Sequence, residues 1–262
     1  MEPHLTLRLN LSKPIFSFTF DDVPISAMVN GTQILEDNNV RGTFYISSKR
    51  CGLSDSISFL NSKQRVTSKS EEEIANMIFD LHKRGHHIGC HSHSHQDLTK
   101  LSANDIAEDC KKNRFLLSRI LDGVSVDHFS YPYGAISSIA IKSLRKEYKT
   151  LRGIQEGVNY GTVYLSMLKA VKIYSLSLNK SNVTQWINMN AKSNGWLIFY
   201  THGIDSLPNE FGATPFDLQW IIEECGKAAG EILNVRDAYE VIQGRSIESS
   251  KRSFVGTMKW TR

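Results

Sequence analysis

The chain has 262 residues, of which 40% are hydrophobic and 22% charged, so it can bury a sizeable core within one large domain. Its formal charge of +4 comes from residues 244–262, where five lysines and arginines outnumber one glutamate. The body of the chain is therefore neutral, which argues against a nucleic-acid partner. The four cysteines lie far apart without a C-x-x-C pair, so neither a disulfide framework nor a thiolate zinc site is indicated.

The composition indicates a single domain over residues 15–243, because no linker-like tract or internal repeat interrupts it. Residues 1–14 are predicted to be an N-terminal extension, and residues 244–262 a basic C-terminal tail. The segment Met1–Ser12 lacks the basic and apolar parts of a signal peptide, and no later run is apolar enough to span a bilayer. We therefore expect a cytoplasmic protein without an integral membrane segment, or an exported one if a leader has been removed.

Along the chain, β-rich runs alternate with amphipathic helical patterns. Strands are predicted at Ile15–Phe20, Gly42–Ser47, His86–His91, Val126–Tyr131, Thr150–Gln155, Ala170–Ser175, Trp196–Thr201 and Glu231–Val235, and helices at Ser70–Arg84, Ser102–Leu121, Asn179–Asn194 and Pro215–Gly230. Strands that alternate with helices indicate parallel pairing and right-handed crossovers. The class is therefore α/β, and the length favours a closed or nearly closed barrel of seven or eight strands over an open sheet.

The first predicted strand, Ile15–Phe20, alternates between large apolar and small polar side chains. Its three phenylalanines face one side, whereas Ser17, Thr19 and the following Asp21 face the other. In a barrel surrounded by helices, the phenylalanines are expected to pack outward and the small polar side chains to line the interior. The pattern is typical of a first barrel strand.

Polar side chains with catalytic potential follow the carboxyl ends of four predicted strands. They are the pair Asp21-Asp22, the segment His91–His95, the turn around Tyr133, and His202. Parallel strands bring their carboxyl ends to one edge, where α/β proteins build their sites. We therefore expect one rim of the barrel to collect all four groups.

The segment His91–His95 carries three imidazoles at alternate positions. On a helical turn only His91 and His95 would share a face, and with one carboxylate they would form the two-histidine, one-carboxylate set of catalytic metal sites. A surface loop or a structural metal site are the alternatives. The pair Asp21-Asp22 favours the catalytic site, because adjacent carboxylates repel each other unless a cation relieves them. One aspartate would bind the metal and the other act as general base, the alternative being a helix-capping turn.

His202 follows a strongly apolar strand and is either a packed histidine or part of the same rim site. Beside a metal, histidine is the side chain best suited to donate a proton to a leaving amine near neutral pH. The turn around Tyr133 can direct its backbone N–H at a developing oxyanion. Both assignments depend on the metal site.

Four segments together resemble the motifs of the polysaccharide deacetylase family, also called the NodB-homology domain or carbohydrate esterase family 4. Thr19–Asp22 matches T-F-D-D, His91–His95 matches H-S/T-x-x-H, and Thr201-His202 matches the terminal histidine motif. Ser130–Gly134 is an altered form of R-x-P-Y-G. The resemblance covers roughly Ile15–Gln243.

The resemblance implies a distorted (β/α) barrel that uses one divalent metal ion, most often zinc. Asp22, His91 and His95 would hold the metal, Asp21 would act as general base and His202 as general acid. The metal and the Tyr133 backbone N–H would stabilise the oxyanion that forms when water attacks an acetamide carbonyl.

Two departures from the family pattern are visible. Ser130 stands where the family usually has an arginine that orients the catalytic aspartate. Arg152, near the next predicted strand, is our candidate substitute. The family's acidic residue behind the catalytic histidine has no clear counterpart, and Glu156 and Asp205 are the candidates.

The predicted function is a hydrolase that removes N-acetyl groups from an amino sugar in a polysaccharide or glycoconjugate precursor. The alternatives are an O-acetyl esterase on the same scaffold, a non-catalytic glycan-binding relative, and an unrelated barrel enzyme with a structural zinc site. Trp196, Tyr200 and Trp220 are candidate walls of the sugar groove, although each is better explained as core. No pattern indicates an oligomeric state.

Overall fold

The computed structural model describes residues 6–53 and 69–244. Its strands are β1 (Thr6–Arg8), β2 (Ile15–Asp21), β3 (Thr43–Ile46), β4 (His87–Cys90), β5 (His128–Ser130), β6 (Thr150–Arg152), β7 (Thr162–Tyr164), β8 (Val171–Lys172), β9 (Trp196–Thr201) and β10 (Glu231–Ile232). Its α-helices are α1 (Thr32–Asp37), α2 (Lys69–Lys83), α3 (Ala103–Ile120), α4 (Ser138–Leu144), α5 (Lys180–Ser193), α6 (Pro215–Lys227) and α7 (Val235–Ile242).

The main sheet has the strand order β6-β5-β4-β3-β2-β9-β8, and β10 pairs with the start of β2. Every pair in this sheet is parallel. The carboxyl ends of the strands therefore lie at one rim, as the alternation of strands and helices predicts.

The sheet curls until its outer strands β6 and β8 almost meet. The gap is bridged by the segment before β8: Leu151 donates its N–H to the Leu165 carbonyl, and Leu168 donates to the Leu151 carbonyl. Arg152 and Leu168 form an isolated parallel bridge beside these bonds. The predicted α/β class and distorted barrel are confirmed.

Two apolar layers lie on the two faces of the sheet. Phe16, Phe18 and Phe20 belong to the outer layer, which packs against the helices. Ile15 and Trp196 belong to the inner layer, together with residues of α7. The first strand therefore faces as its alternation predicts, with the phenylalanines outward.

The interior of the barrel is partly polar beside this inner layer. The Ser17 hydroxyl donates to the Leu233 carbonyl and accepts from the Trp196 indole N–H. Trp196 and Tyr200 are buried in the inner layer, and Trp220 packs against the outer layer. All three therefore serve as core.

The predicted strands and helices are present, most of them with shortened ends, and the structure adds α1, α4, α7 and the small β1–β7 sheet. β1 falls within the segment 1–14 and pairs antiparallel with β7. Leu7, Leu9 and Leu11 pack there against the inner layer. Residues 245–262 of the predicted basic tail lie outside the described residues. Of the described helices, none combines the length and the apolar character needed to cross a membrane.

Candidate active site

The structure brings Asp21, Asp22, His91, His95 and His202 together at the carboxyl rim. Asp21 ends β2, His91 directly follows β4, and His202 directly follows β9. The Asp22 carboxylate lies at the centre: its Oδ1 is 4.0 Å from His91 Nε2 and 3.2 Å from His95 Nε2, and its Oδ2 is 3.9 Å from His202 Nε2.

Left-handed backbone shapes the loops of this rim. Asp22 (φ 56°), Ser92 (φ 61°), His95 (φ 54°) and Tyr133 (φ 58°) all adopt it without being glycine. Non-glycine residues rarely adopt this conformation, and each such residue costs about 1–3 kcal/mol. These four conformations therefore destabilise the fold, and in return they direct the side chains into one site.

Asp22, His91 and His95 form a group whose ligand atoms lie within 4.8 Å of one another. Asp22 Oδ1 is buried and has no hydrogen-bond partner among the described residues, although it faces two imidazole nitrogens. A cation between these atoms satisfies all three at once. The group thus fits the two-histidine, one-carboxylate set of divalent-metal sites.

The tautomer of His91 suits this role. Its Nδ1 lies 2.7 Å from the Ser130 carbonyl oxygen, which can only accept, so Nδ1 carries the proton. The Nε2 lone pair is then directed at Asp22 and the metal position. Such outer hydrogen bonds orient metal-binding histidines generally.

The loop after His91 does not form the helical turn on which the sequence argument placed His91 and His95. It is irregular from His91 to Asp97, and His95 donates its backbone N–H to the Ser92 hydroxyl at 3.0 Å. The left-handed Ser92 and His95 turn the chain back, so the two imidazoles meet at a ring distance of 4.8 Å. The pairing is as predicted, but its geometric reason was wrong.

Burial lowers the pKa of both imidazoles. At His91 it outweighs Asp21 and Asp22, which act to raise the pKa. Burial, followed by the neighbouring His91, lowers the pKa of His95 to about 4. Both rings are therefore neutral near pH 7, which is the form that binds metal ions.

Asp21 is buried and paired with a fully buried Arg152. The guanidinium donates to both carboxylate oxygens, at 2.5 Å to Oδ2, and to the Ser130 hydroxyl. Its carbon lies 5.2 Å and 5.0 Å from the ring centroids of Tyr45 and Tyr200, which enclose it from two sides. Arg152 thus contacts the aspartate, which is the contact that a substitute for the family's missing arginine has to make.

The electrostatics of Asp21 follow from this contact. Burial acts to raise the pKa of its carboxyl group, but Arg152, with His91 and His202, outweighs burial and holds the pKa below its ordinary value. Asp21 therefore carries its negative charge at neutral pH in a site without free access to water.

His202 points its two ring nitrogens in different directions. Nδ1 lies 3.3 Å from the Phe211 carbonyl oxygen and so carries the proton, while Nε2 faces Asp22. Within the described part of the chain, neither Glu156 nor Asp205 contacts this ring. Asp205 instead accepts the Leu207 backbone N–H at 3.2 Å. A backbone carbonyl therefore occupies the position for which two acidic residues were candidates.

Tyr133 lies next to the group that fits a metal. Its ring meets the His95 ring at 4.6 Å, and its side chain is 62% exposed. The turn Pro132–Gly134 begins two residues after the end of β5, so its backbone belongs to the same rim. The structure thus brings all the predicted site residues to one location.

Sequence reasoning missed Arg50 and Tyr45, and it named Tyr200 only as a groove wall or core residue and not as a neighbour of Arg152. Arg50 Nε lies 3.1 Å from Asp22 Oδ2, with its side chain half-exposed. It follows β3 at the carboxyl rim, and that position is the only signal that could have indicated it. Tyr45 and Tyr200 belong to apolar strands, where an aromatic residue ordinarily signals core.

This fold and site define a class of protein, namely an α/β barrel with a buried two-histidine, one-carboxylate group at its carboxyl rim. A family model described as "Polysaccharide deacetylase" matches residues 8–149, which is more than half of the chain. The chain therefore belongs to the polysaccharide deacetylase family, and the resemblance drawn from the motifs is confirmed.

Curated relatives match only in part. The chain is 29% identical over 128 residues to a chitin deacetylase of Arthroderma benhamiae, a match that covers 49% of this chain and 30% of that protein. Overall, the chain spans 19% to 37% of the length of the curated relatives that it matches.

Solved structures share the whole fold. A peptidoglycan N-acetylglucosamine deacetylase superposes with a TM-score of 0.61 at 15% identity, covering 92% of each chain. A pseudoenzyme of the CE4 family from Bacillus anthracis gives a TM-score of 0.57 at 13% identity, covering 89% of this chain and 68% of that one. At these identities the likeness establishes the fold alone.

Proposed function

We propose that this protein is a metal-dependent hydrolase that removes N-acetyl groups from an amino sugar in a polysaccharide or glycoconjugate precursor. One observation carries the proposal: an ionised Asp21 held by Arg152 and a directed His202 lie beside the group Asp22, His91 and His95. A pure binding protein needs neither a spare base nor a spare acid.

We propose zinc as the bound ion, held by Asp22, His91 and His95. When bound, it would supply a Lewis acid that polarises the acetyl carbonyl and makes a nearby water more acidic. Neutral imidazoles with one carboxylate are a donor set that zinc accepts.

Asp21 accepts the proton of the attacking water in this scheme. Arg152 keeps the carboxylate ionised and fixes its direction, which is why we assign Arg152 as a positioning residue. The backbone N–H of Tyr133 donates to the carbonyl oxygen as that oxygen gains negative charge.

His202 acts as general acid. The Phe211 carbonyl accepts the Nδ1–H, so the imidazolium form of the ring carries its second proton, taken from solvent, on Nε2, and this is the proton that passes to the leaving amine. The C–N bond of the acetamide breaks as this proton arrives, and acetate and the free sugar amine are released.

The substrate class is supported by similarity and by the surface of the rim. The matched relatives include a chitin deacetylase and a peptidoglycan N-acetylglucosamine deacetylase, both of which act on N-acetylated sugars by name. Tyr133 and Phe211 expose 62% and 48% of their surfaces at this rim. Exposed aromatic rings suit the apolar faces of sugar rings.

A non-catalytic relative is the second candidate, and two observations favour it. Ser130 replaces the arginine of the family motif, and a CE4 pseudoenzyme shares the fold. The contact between Arg152 and Asp21 supports the catalytic proposal instead, because it supplies a guanidinium to the aspartate from another strand.

The test is acetate release from N-acetylglucosamine oligomers with added zinc and with a chelator. We expect release with zinc and none with the chelator, and a loss of at least about 100-fold in Asp21→Asn and His202→Ala. Asp205→Asn is the matched control, since this acid lies at the same rim without contacting His202, and it should retain activity.

Acetylated xylan is assayed in parallel as the second substrate. Acetate release from xylan alone would show that the protein is an O-acetyl esterase. Folded protein that binds zinc and releases no acetate from either substrate would favour the glycan-binding relative.

A further inference from the structure

The amino ends of β4 and β5, at the opposite end of the barrel from the active-site rim, hold a second group of metal-binding side chains. It consists of His87, Asp127 and His128, called the basal cluster below. The two imidazole rings meet edge to face at 4.9 Å, and His128 Nε2 lies 3.5 Å from Asp127 Oδ1. One ligand atom from each residue lies within 4.8 Å of the others, a limit that the rim group also meets.

The Nε2 atoms of both histidines lack a hydrogen bond among the described residues. His87 and His128 are 4% and 0% exposed, yet neither Nε2 makes a hydrogen bond with the described residues. Buried polar atoms are almost always hydrogen-bonded, because an unmade bond inside a protein costs free energy. Two such nitrogens and one carboxylate together form a donor set for a cation.

The outer nitrogens of the same rings are both engaged. His87 Nδ1 lies 3.2 Å from the Thr43 hydroxyl oxygen, and His128 Nδ1 lies 2.8 Å from the Thr150 hydroxyl oxygen. Each hydroxyl can accept a hydrogen bond from Nδ1–H, and in that tautomer each Nε2 carries a lone pair. This is the arrangement in which proteins orient metal-binding histidines.

The charged groups around the cluster are of both signs, and Lys149 and Arg236 act on both rings as cations. Asp127 supplies the negative charge. Its Oδ2 is held by Lys149 Nζ at 2.6 Å, which leaves Oδ1 on the side of His128.

We propose that the basal cluster binds one divalent transition-metal ion, with zinc the preferred ion, through His87 Nε2, His128 Nε2 and the Asp127 carboxylate. Two imidazoles and one carboxylate are borderline ligands that zinc accepts. The ion links the first residues of β4 and β5, next to α7, where Val235 donates its backbone N–H to Thr43. The ion would stabilise this end of the barrel. This inference does not depend on the proposed function.

The test uses a variant in which the rim group is disabled, His91→Ala/His95→Ala. After chelator treatment and dialysis, this protein is titrated with Zn²⁺ by calorimetry and melted with and without the ion. We expect about one zinc per chain and a rise in Tm, because an ion that binds only the folded state stabilises it. Wild-type protein should bind about two ions per chain under the same conditions.

The added substitution His128→Asn is expected to abolish the remaining zinc and the Tm shift. His86→Asn in the same background is the matched control: His86 is equally buried but contacts Glu36 through Nε2, so the zinc should stay. If His128→Asn does not fold, Asp127→Asn removes a less buried ligand and should weaken zinc binding by about 10-fold or more.

Absence of zinc binding in His91→Ala/His95→Ala would overturn the proposal. Zinc that is retained after the added His128→Asn would overturn it too, as would unchanged zinc affinity after Asp127→Asn. Because acetate release does not enter these measurements, failure of the proposed activity and failure of the basal cluster are separable.

Discussion

At the scale of single residues, Ser130 and Arg152 act as a pair. They are direct partners in the register of β5 and β6, and both are fully buried. The small serine leaves room for a guanidinium that arrives from the neighbouring strand and reaches Asp21. A buried carboxylate left without its cation is strongly unfavourable. The serine and the arginine therefore have to be considered together.

Arg152→Gln is expected to destabilise the metal-free protein by about 3–5 kcal/mol at neutral pH, because it leaves Asp21 charged and buried without a partner. The folded pKa of Asp21 is lowered, so its stabilisation is present above the unfolded pKa of about 3.9 and is lost as pH falls through the folded pKa. The difference between wild type and variant should shrink on acidification below about pH 4. Urea unfolding of both proteins across pH measures it, and a difference independent of pH would contradict the assignment.

The double variant Ser130→Arg/Arg152→Ser tests whether an arginine can support Asp21 from β5 as well as from β6. It returns the guanidinium to β5, facing the same aspartate from the neighbouring strand. We expect it to recover part of the stability and acetate release lost in Arg152→Gln. Ser130→Arg alone should be destabilising, since two guanidinium groups would then compete for one buried space.

At the scale of elements, β3 and β4 approach closely beneath Arg152. A Cβ added at Gly89 would lie 2.4 Å from Cδ1 of Tyr45, whose ring packs on the Arg152 guanidinium. The absence of a side chain at Gly89 therefore sets the position of Tyr45 and, through it, that of the arginine.

Gly89→Ala is expected to destabilise the fold by about 1–3 kcal/mol through overpacking, and to lower acetate release because Tyr45 and Arg152 must shift. Thermal melting and the acetate assay measure the two effects. The control is Gly226→Ala in α6, where an added Cβ meets no atom within 4 Å. It should be neutral or stabilising by up to about 1 kcal/mol, with unchanged activity. Equal behaviour of the two variants would show that the contact with Tyr45 is unimportant.

At the scale of the whole molecule, the cores and the active-site rim are separate. The outer layer lies between sheet and helices, and the inner layer is closed by β1, β7 and α7. The rim residues Asp22, His91 and His95 belong to neither layer. We therefore expect the fold to persist without an ion at the rim.

Removal of metal ions by a chelator should leave the protein folded at 25 °C and inactive. Circular dichroism and the acetate assay on one sample measure this, and zinc should restore activity. A lower Tm without unfolding is the expected effect of emptying the basal cluster. Complete unfolding on chelation of His128→Asn, which lacks the basal cluster, would instead favour the interpretation of the rim group as a structural zinc site.

The sequence by itself determined the α/β barrel, the outward phenylalanines of β2 and the rim that collects Asp21, Asp22, His91, His95 and His202. These follow from local patterns, namely alternation along a strand and polar residues at strand ends, which act over a few neighbouring positions. Non-local geometry decided the rest.

Only the tertiary structure decided which groups the site residues contact. The register between β5 and β6 brings Arg152 to Asp21, and left-handed backbone rather than a helix joins His91 to His95. The Phe211 carbonyl stands behind His202, and no sequence pattern marks it because every residue carries a carbonyl. Strand pairing likewise assembles the basal cluster, since residues 40 positions apart become neighbours only when the barrel closes.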